Sequence, residues 1–563
     1  MLWGLRRDAK PAALSRAVIS GVSSPGLAAT GRGEEDLQQA GVIRGLAARY
    51  WLLPALAACL VLCFIAARGT YPNSDSVQNY NELASLNAGR FLLPHWVLAP
   101  DNFYLTDLPF YALGLVLFGP ALWLLYGVPF VVFALLLIAS LLLVRHCTGG
   151  RANGQASLAL LLYLLAMPFM PSLYMLLISD FHTASLMLCL FALLLAAPTL
   201  GGQRAHVGAL WGYGALVFIA CSGDPFAQIF FSAPMLALVA LRFALYRRFS
   251  GGEWRLAGIT LLAGGLALGF PALMASLGGF TTKVSFYEQP VAQFGLLLDN
   301  VRAFGAAVQV LFSATYFPLA HVFALPFLIL TRKLVLLLVL ALAAHGLWRG
   351  RASRDNAVVQ FLILSAVCLT MADVFSEAFY SAITPGPVFP NAAVRYVTPA
   401  YVFLSVAAII ELQAFLSRPW PAWAMRGMLG VAVIGGGLYV VNAMAYLAPE
   451  VSAPPGIYQA PQYALAGWLR AQGFTYGMGD YYTSQLVRAL SQGQVMADPV
   501  VDANGLQPFL MWTDTTRFAL HVPPQFLVFQ EGAWSARLQA DVTAAFAPPL
   551  REPLRSLIGS GLF

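Results

Sequence analysis

The sequence has few charged residues. Asp, Glu, Lys and Arg make up 10% of its 563 residues, whereas a soluble globular chain carries about 25%. Hydrophobic residues account for 59%, and apolar stretches close to the length of a membrane span recur along the chain. This composition excludes a soluble globular protein. It predicts a polytopic helical membrane protein, because helices satisfy their own backbone polar groups in lipid.

Lysine and cysteine are also scarce. Lys10, Lys283 and Lys333 are the only lysines among 32 basic residues, and this arginine bias indicates a GC-rich, bacterial genome. The six cysteines lie in or beside apolar stretches, which excludes a disulfide framework and a zinc knuckle. The net charge of +7 is expected to set membrane topology rather than to bind nucleic acid.

The apolar stretches divide the chain into three regions. Residues 1–49 are rich in Gly, Ala, Ser and Arg, and we expect them to be a disordered cytoplasmic segment. Residues 50–448 are predicted to be the transmembrane domain, and residues 449–563 a soluble α/β domain. No short apolar stretch with a cleavage site precedes Trp51–Ala67, so this first span is predicted to be an uncleaved anchor.

Arg-rich connections alternate with acidic ones, and this alternation predicts the topology. With the Arg-rich connections in the cytoplasm, those with Asp75, Asp180 and Asp224 lie outside. This requires Pro109–Phe118 to be an interfacial or re-entrant helix. The external loops are then residues 68–121 and 278–321, and the C-terminal domain is periplasmic. The eleven predicted spans are Trp51–Ala67, Leu122–Val144, Ala156–Ile178, Thr183–Leu200, Val207–Ala220, Phe226–Leu241, Leu256–Leu277, Leu334–Trp348, Ala357–Ala372, Tyr396–Leu416 and Gly427–Tyr446.

Two adjacent charges interrupt the apolar stretch Val322–Trp348. A charge at mid-bilayer costs about 2.5–3.5 kcal/mol, so we place Arg332 and Lys333 at the outer interface, with Leu334–Trp348 crossing inward. Two crossings in this stretch are the alternative, and they would invert the topology of everything downstream.

The connection Thr70–Tyr111 is too polar for lipid and carries candidate site residues. Apolar residues recur every third position from Val77 to Leu86, which predicts a short amphipathic helix on the membrane surface that ends at Gly89. Asp75 at its start has two interpretations. It favours the first helical turn with Ser74 as the cap, or it is a carboxylate at a membrane-facing cleft that takes a proton from an acceptor hydroxyl or amine.

The C-terminal region alternates helical and strand patterns, which indicates a small α/β layer domain. Helices are predicted at Pro461–Gln472 and Tyr482–Ser491, and strands at Phe474–Met478, Val495–Val501 and Phe526–Phe529.

The order of these features resembles the GT-C glycosyltransferases, in particular protein O-mannosyltransferases and aminoarabinose transferases. Asp107–Tyr111 (DLPFY) occupies the place of a Lys-Pro-Pro-Leu-Tyr segment, and Asp180 the place of a second acid. Arg395–Pro399 (RYVTP) is similar to a late Arg-Tyr-x-x-Pro motif. The sequence departs from the family in two ways: serines flank Asp75 where an acid pair is common, and the lysine before the proline pair is absent.

The resemblance implies an all-α polytopic GT-C-like membrane bundle of about eleven spans with a small C-terminal periplasmic α/β domain. It implies inverting transfer of a sugar from a polyprenyl-phosphate donor on the outer face of the bacterial cytoplasmic membrane. The partners would be this lipid-linked sugar and membrane lipid, with no nucleic acid. The acceptor stays open as a lipid, a glycan or a protein. Some relatives use a divalent metal, but no ligand spacing here requires one.

Under this resemblance, Asp75 is predicted to be the base, and Asp180 to hold the acceptor or tune Asp75. Arg395 is the first candidate to bind the donor phosphate, because a guanidinium makes bidentate contacts. The weaker phosphate candidates are Arg90, Lys283 and Arg302, and the other candidate residues are Tyr396, Asp107, His182 and Glu288.

Each role has a structural alternative. Arg395 is otherwise an arginine that sets topology or reaches the interface, Asp180 a helix cap, and His182 an interfacial side chain. For the whole chain, a transporter or lipid flippase would place ionisable residues at mid-bilayer and show inverted repeats. The acids here cluster at loop edges on one face. A non-catalytic GT-C-like assembly protein also stays open, because family motif residues are missing.

Overall fold

The structure is a computed structural model. It describes residues 52–149, 154–167, 171–179, 181–204, 206–247, 251–283, 294–315, 325–350, 356–376, 393–416, 441, 445, 449, 451–502, 506–520 and 523–529. The predictions for residues 1–49, Asp180, Glu288 and most of Gly427–Tyr446 lie outside these residues. The chain divides into two compact units, Met1–Pro54 and Ala55–Phe563, and the contacts below all lie within the second.

Helices dominate the described residues between Leu52 and Leu416. They are α1 (Leu52–Gly69), α2 (Gln78–Asn87), α3 (Leu108–Phe118), α4 (Leu124–Thr148), α5 (Gly154–Leu165), α6 (Pro171–Leu176), α7 (Thr183–Leu200), α8 (Val207–Gly223), α9 (Ala233–Tyr246), α10 (Gly251–Ser276), α11 (Leu297–Leu311), α12 (Leu325–Gly350), α13 (Ala357–Val374) and α14 (Ala393–Leu416). A π-helical turn, Gln228–Ser232, precedes α9.

Within the described residues, seven helices are long and apolar enough to cross a membrane: Leu124–Thr148, Thr183–Leu200, Gln228–Tyr246, Gly251–Ser276, Leu328–Arg349, Ala357–Val374 and Val394–Leu416. Each overlaps a predicted span. The apolar helices at the predicted spans Trp51–Ala67 and Val207–Ala220 are shorter, at Leu56–Gly69 and Val207–Gly223, and the span predicted at Ala156–Ile178 is divided between α5 and α6. The total of eleven spans stays a prediction.

One continuous helix, α12, contains Arg332. The part of this helix that is long and apolar enough to span a membrane, Leu328–Arg349, starts before the predicted Leu334, and a continuous helix contradicts the alternative of two crossings. The Arg332 side chain is fully buried, and its position at the outer interface stays a prediction. Its Nε donates to the Phe312 carbonyl oxygen at 2.7 Å, and its guanidinium lies 5.0 Å from the Tyr163 ring centre. These contacts replace water around the buried charge.

The C-terminal residues form the predicted α/β layer. The helices are α15 (Gly456–Gln459), α16 (Pro461–Ala471) and α17 (Tyr481–Leu490), and the strands are β3 (Tyr476–Gly479), β4 (Met496–Asp502), β5 (Leu506–Pro508) and β7 (Phe526–Val528). The sheet order is β5-β4-β3-β7, with β3 parallel to β4 and β7, and β5 antiparallel to β4. Asp480 caps α17 by accepting from the Thr483 backbone N–H.

A second sheet connects this layer to both loops that were predicted to be external. It contains β1 (Trp96–Leu98) from the first loop, β2 (Thr281–Thr282) from the second, and β6 (Thr513–Asp514) from the C-terminal region, in the order β2-β1-β6. The chain also approaches the end of α1 closely, because a Cβ on Gly456 would lie 2.6 Å from the Gly69 and Thr70 carbonyl oxygens. The C-terminal layer is thus fastened to one end of the helical bundle.

The helix predicted after Asp75 is present as α2, and Gly89 follows it with a φ of +74°. Its predicted exposure on the membrane surface is wrong, because polar residues along it are buried as well as the apolar stripe. Asn81 donates to Gln485 of α17, and Arg488 of α17 donates to the Asn81 carbonyl oxygen. The C-terminal layer therefore covers the polar face that was expected to meet water.

The helix α3 agrees with the prediction that Pro109–Phe118 does not cross the membrane. Its 11 residues span about 16 Å, roughly half of a bilayer core. Leu113, Val116, Leu117 and Phe118 are exposed on it. An interfacial position for α3 remains the prediction that fits this short apolar helix.

Candidate active site

A short 3-10 turn, Asp75–Val77, places Asp75 between the bundle and the C-terminal layer. The predicted Ser74 cap is wrong, because the Ser74 side chain makes no capping hydrogen bond. The Asn73 side chain takes that role and accepts from the Ser76 backbone N–H at 2.7 Å. The Asp75 carboxylate instead contacts residues that are far away in the sequence.

Asp75 and Arg395 meet, although 320 positions separate them. Arg395 lies at the start of α14, and its Nη1 donates to Asp75 Oδ2 at 3.1 Å. The two side chains are 22% and 24% exposed, so a substrate can reach them. The two charges that the resemblance assigned to one reaction therefore lie in contact.

Aromatic rings hold the Arg395 guanidinium in place. Its Nη2 donates to the Tyr396 hydroxyl at 2.8 Å. Its centre lies 4.8 Å from the Tyr396 ring centre and 5.3 Å from that of Phe181, a geometry for cation–π attraction. Its Nε has no hydrogen-bond partner among the described residues. This nitrogen is itself buried, so the accessible part of Arg395 lies elsewhere on the side chain.

The second oxygen of Asp75 is held by the C-terminal layer. The Tyr481 hydroxyl donates to Asp75 Oδ1 at 3.0 Å, and the Gln78 amide nitrogen lies 2.9 Å from the same hydroxyl. Tyr481 was not among the residues predicted from the sequence. No local pattern marks it, because its contact with Asp75 exists only when α17 docks on the first loop.

His182 forms a buried pair beside this site. Its Nδ1 lies 2.9 Å from Asp224 Oδ2, and its ring centre lies 4.8 Å from that of Phe226 and 5.8 Å from that of Tyr396. The expectation of an interfacial side chain is wrong, because both His182 and Asp224 are buried. The His182 backbone has a φ of +66°, which is strained for a residue with a Cβ and occurs more often at functional sites.

Asp101 lies in the first loop next to Asn102, whose amide nitrogen donates to the Ser222 carbonyl oxygen at 3.0 Å. Burial raises the pKa of Asp101 to about 6, and the nearby Asp224 carboxylate also raises it, while His182 and Arg395 lower it. The acid thus changes its charge near neutral pH.

The structure does not bring the other predicted residues to Asp75. Arg90 lies 3.7 Å from Asp514, and Arg302 pairs with Asp299 and is 70% exposed. Lys283 contributes its backbone N–H to the Leu98 carbonyl oxygen and is exposed. Asp107 is buried at the start of α3, where it accepts from Thr106.

A cavity of about 540 Å³ lies among α11, α12, α13 and α14, with almost wholly apolar walls. On α14 it touches Val397, Ala400, Tyr401 and Leu404. At about 100° per residue this stripe is centred roughly 170° around the helix from Arg395. The body of α14 therefore separates the cavity from the ion pair.

The described residues contain no group of three His, Cys, Asp or Glu side chains arranged to hold a metal ion. The cluster combines one exposed carboxylate–guanidinium pair, a buried His–Asp pair and an acid with a raised pKa. Such a site can bind an anion through Arg395 and accept a proton at a carboxylate.

No protein-family model and no curated protein matches the sequence. Two crystal structures of ArnT from Cupriavidus metallidurans are similar in fold. The one bound to undecaprenyl phosphate has a TM-score of 0.51 and 14% identity, over 79% of this chain and 85% of that chain. The apo structure has a TM-score of 0.51 and 13% identity, over 85% and 90%. This likeness confirms the predicted GT-C-like membrane fold.

Proposed function

We propose that this protein is a membrane glycosyltransferase that moves a sugar from a polyprenyl-phosphate donor to an acceptor beside Asp75. The observation that carries the proposal is the Asp75–Arg395 pair, in which a carboxylate and a guanidinium meet at 3.1 Å and are both partly exposed. The fold supports it, since ArnT, which is similar to this chain, binds undecaprenyl phosphate.

In this proposal Arg395 binds the donor phosphate. Two of its nitrogens contact Asp75 and Tyr396, and the side chain is 22% exposed. A phosphate that enters beside the guanidinium competes with Asp75 for it, because both are anions. Binding of the donor would loosen the ion pair and leave the Asp75 carboxylate more basic.

Asp75 then accepts a proton from the acceptor. The acceptor oxygen or nitrogen forms a bond to the anomeric carbon, and its proton moves to the carboxylate. The bond between that carbon and the phosphate oxygen breaks, and polyprenyl phosphate leaves with the electron pair. Arg395 stabilises the added negative charge on the phosphate. A single displacement of this kind inverts the anomeric centre.

The site is proposed to face the periplasm. Arginines follow the far ends of helices that start near the site: Arg145 ends α4, Arg247 follows α9, and Arg349 ends α12. Arginine marks the cytoplasmic side of bacterial membrane proteins. By the same rule, the C-terminal layer, which covers Asp75, lies outside.

The test is turnover of lipid-linked sugars by the purified full-length chain in detergent. A panel of polyprenyl-phosphate sugars is supplied with a membrane lipid and glycan extract, and released polyprenyl phosphate is measured. We expect Asp75→Asn to lower turnover by about 10²–10⁴-fold, the usual contribution of a positioned base. The matched control is Asp299→Asn, which neutralises an exposed acid paired with Arg302.

Equal turnover by the wild type and Asp75→Asn would remove Asp75 as the base. Absence of turnover with every donor in the panel, from protein that elutes and melts as a folded species, would contradict the transferase proposal. Asp299→Asn should match the wild type in both turnover and melting.

A further inference from the structure

The most specific unassigned contact at the site comes from the C-terminal layer. Asp75 has two carboxylate oxygens, and each is held by a different part of the chain: Oδ2 by Arg395 and Oδ1 by the Tyr481 hydroxyl. Tyr481 lies 406 positions from Asp75. With both oxygens fixed, the carboxylate has one orientation relative to the opening of the site.

We propose that Tyr481 is a positioning residue for the catalytic carboxylate, so that the C-terminal layer completes the active site by docking. The inference rests on the proposed role of Asp75 as the base. It assigns to the C-terminal layer a part in the reaction itself, in addition to any contact with the acceptor.

The hydrogen-bond pattern fixes the direction of the Tyr481 hydroxyl. The Gln78 amide nitrogen donates to the Ser74 carbonyl oxygen at 2.8 Å and to the Tyr481 oxygen at 2.9 Å. An amide nitrogen has two protons, and these two bonds use both. The Tyr481 oxygen accepts one of them, so its own proton is directed at Asp75. A hydroxyl that donates to a carboxylate stabilises its charged form.

The position of Tyr481 depends on how α17 is built. Strand β3 ends at Gly479, Asp480 caps the helix, and Tyr481 is the first helical residue. Its ring centre lies 4.9 Å from that of Phe509, and its ring stacks at 6.4 Å on Trp512. The ring is thus held by the C-terminal layer, while its hydroxyl reaches the first loop.

The interface that brings Tyr481 to Asp75 is specific and polar. Asn81 of α2 donates to the Gln485 side chain, and Arg488 lies over the Trp96 ring at 5.2 Å. Glu82 of α2 is fully buried there, and burial raises its pKa well above the usual range, although Arg488 lowers it. Buried polar groups of this kind accept few alternative registers, so docking fixes the Tyr481 hydroxyl in one place.

The neighbouring residue provides a matched control. Tyr482 lies on the same helix but is 60% exposed. Tyr481→Phe and Tyr482→Phe each delete one hydroxyl from the same turn, and only the first removes a hydrogen bond to Asp75. Gln485→Ala weakens the docking interface without removing the Tyr481 hydroxyl.

The experiment is the turnover assay on the full-length variants, with kcat and the donor KM measured from pH 5 to 9. We expect Tyr481→Phe to lower kcat about ten- to a hundredfold, the effect of losing one hydrogen bond to a charged group, with the donor KM unchanged. The acid limb of the pH profile should move to higher pH, because the carboxylate loses a donor that favours its charged form. Tyr482→Phe should match the wild type.

Wild-type kcat and an unmoved acid limb in Tyr481→Phe would overturn the inference. The inference would also be overturned if Tyr481→Phe and Gln485→Ala both lowered kcat and neither moved the acid limb. That result would show that Tyr481 makes only a structural contact. If Tyr481→Phe does not fold, Gln78→Leu takes its place, since it removes the amide that orients the hydroxyl. It should shift the acid limb in the same direction by less, and an unmoved limb overturns the inference.

The assay separates this inference from the function on which it rests. A wild type without turnover, or Asp75→Asn with full turnover, refutes the proposed function. An inactive Asp75→Asn beside a fully active Tyr481→Phe refutes only the role of Tyr481.

Discussion

Two arginine–carboxylate pairs lie in different regions of the bundle, and their differences separate structure from function. Arg242 Nε lies 2.6 Å from Glu253 Oε1, and the two side chains are 3% and 7% exposed. Arg395 lies 3.1 Å from Asp75, and those side chains are 22% and 24% exposed. Both pairs join a guanidinium to a carboxylate. They differ in how exposed the side chains are and in how completely the guanidinium is hydrogen-bonded.

The Arg242–Glu253 pair connects three helices. Arg242 belongs to α9 and Glu253 to α10, and Arg242 Nη1 donates to Gln360 of α13 at 3.2 Å. The guanidinium also lies 5.6 Å from the Tyr246 ring centre. Buried charges with several partners of this kind hold helices in register, and they offer little access to a ligand.

The Arg395–Asp75 pair is open by comparison. It joins the start of one helix to a loop turn, and its third partner, Tyr481, comes from the C-terminal layer. Arg395 Nε has no partner among the described residues. The comparison teaches that a partly exposed pair, placed where segments distant in sequence meet, is the better candidate for chemistry.

The largest expected effect of a substitution in either pair is a loss of folding stability. Arg242→Met leaves Glu253 as an unpaired buried carboxylate, so we expect it to destabilise the fold by about 3–5 kcal/mol. Thermal melting of the detergent-purified protein measures the effect. Arg395→Met, at the open pair, should change the melting temperature far less, since partly exposed pairs contribute about 0–1 kcal/mol.

A second variant shows whether the loss comes from the orphaned charge. The double variant Arg242→Met/Glu253→Leu removes both charges and should regain most of the melting temperature. An Arg242→Met protein that melts with the wild type, or a double variant as unstable as the single one, would break the structural interpretation of this pair.

A smaller effect is expected from the ionisation of Asp101 in the first loop. Its pKa of about 6 means that it is neutral at pH 5 and negatively charged at pH 7. This added charge lies near Arg395, so it repels the donor phosphate as the pH rises. We expect the donor KM to increase about fivefold from pH 5 to 7, the effect of roughly 1 kcal/mol of screened repulsion. A phosphodiester donor keeps its own charge over this range.

Asp101→Asn should abolish this pH dependence, since the amide stays neutral throughout. The donor KM of the variant should stay near the wild-type value at pH 5. A wild-type KM that is flat with pH, or a variant KM that rises as steeply as the wild type, would contradict the placement of Asp101 in the site.

Local patterns in the sequence were sufficient to predict most helices, but not which other parts of the chain pack against them. Hydrophobic periodicity located α2, and the apolar stretches located the long helices. The exposure of α2 was predicted wrongly, because amphipathicity does not reveal that another part of the chain covers the polar face. The burial of Arg332 was not predicted for a similar reason, because the Phe312 carbonyl oxygen and the Tyr163 ring that contact it are distant in sequence.

The candidate site was predicted in part. Asp75, Arg395, Tyr396 and His182 were named in advance through a family resemblance, and the structure places them in one region. Tyr481 and Asp101 had no motif to mark them, and the contact between Tyr481 and Asp75 joins residues 406 positions apart. Arg90 and Arg302 had the right charge, but their acidic neighbours Asp514 and Asp299 engage them elsewhere.

The most direct test of the account is the binding of polyprenyl phosphate, without a sugar, to Arg395→Gln. We expect the dissociation constant to rise about ten- to a hundredfold, because the anion loses charge-assisted hydrogen bonds. Asp75→Asn should bind at least as tightly as the wild type, since it removes the competing carboxylate. Arg302→Ala, which lacks an exposed guanidinium away from the site, should be unchanged. Wild-type affinity in Arg395→Gln would contradict the central claim that the Asp75–Arg395 pair is where the lipid phosphate binds.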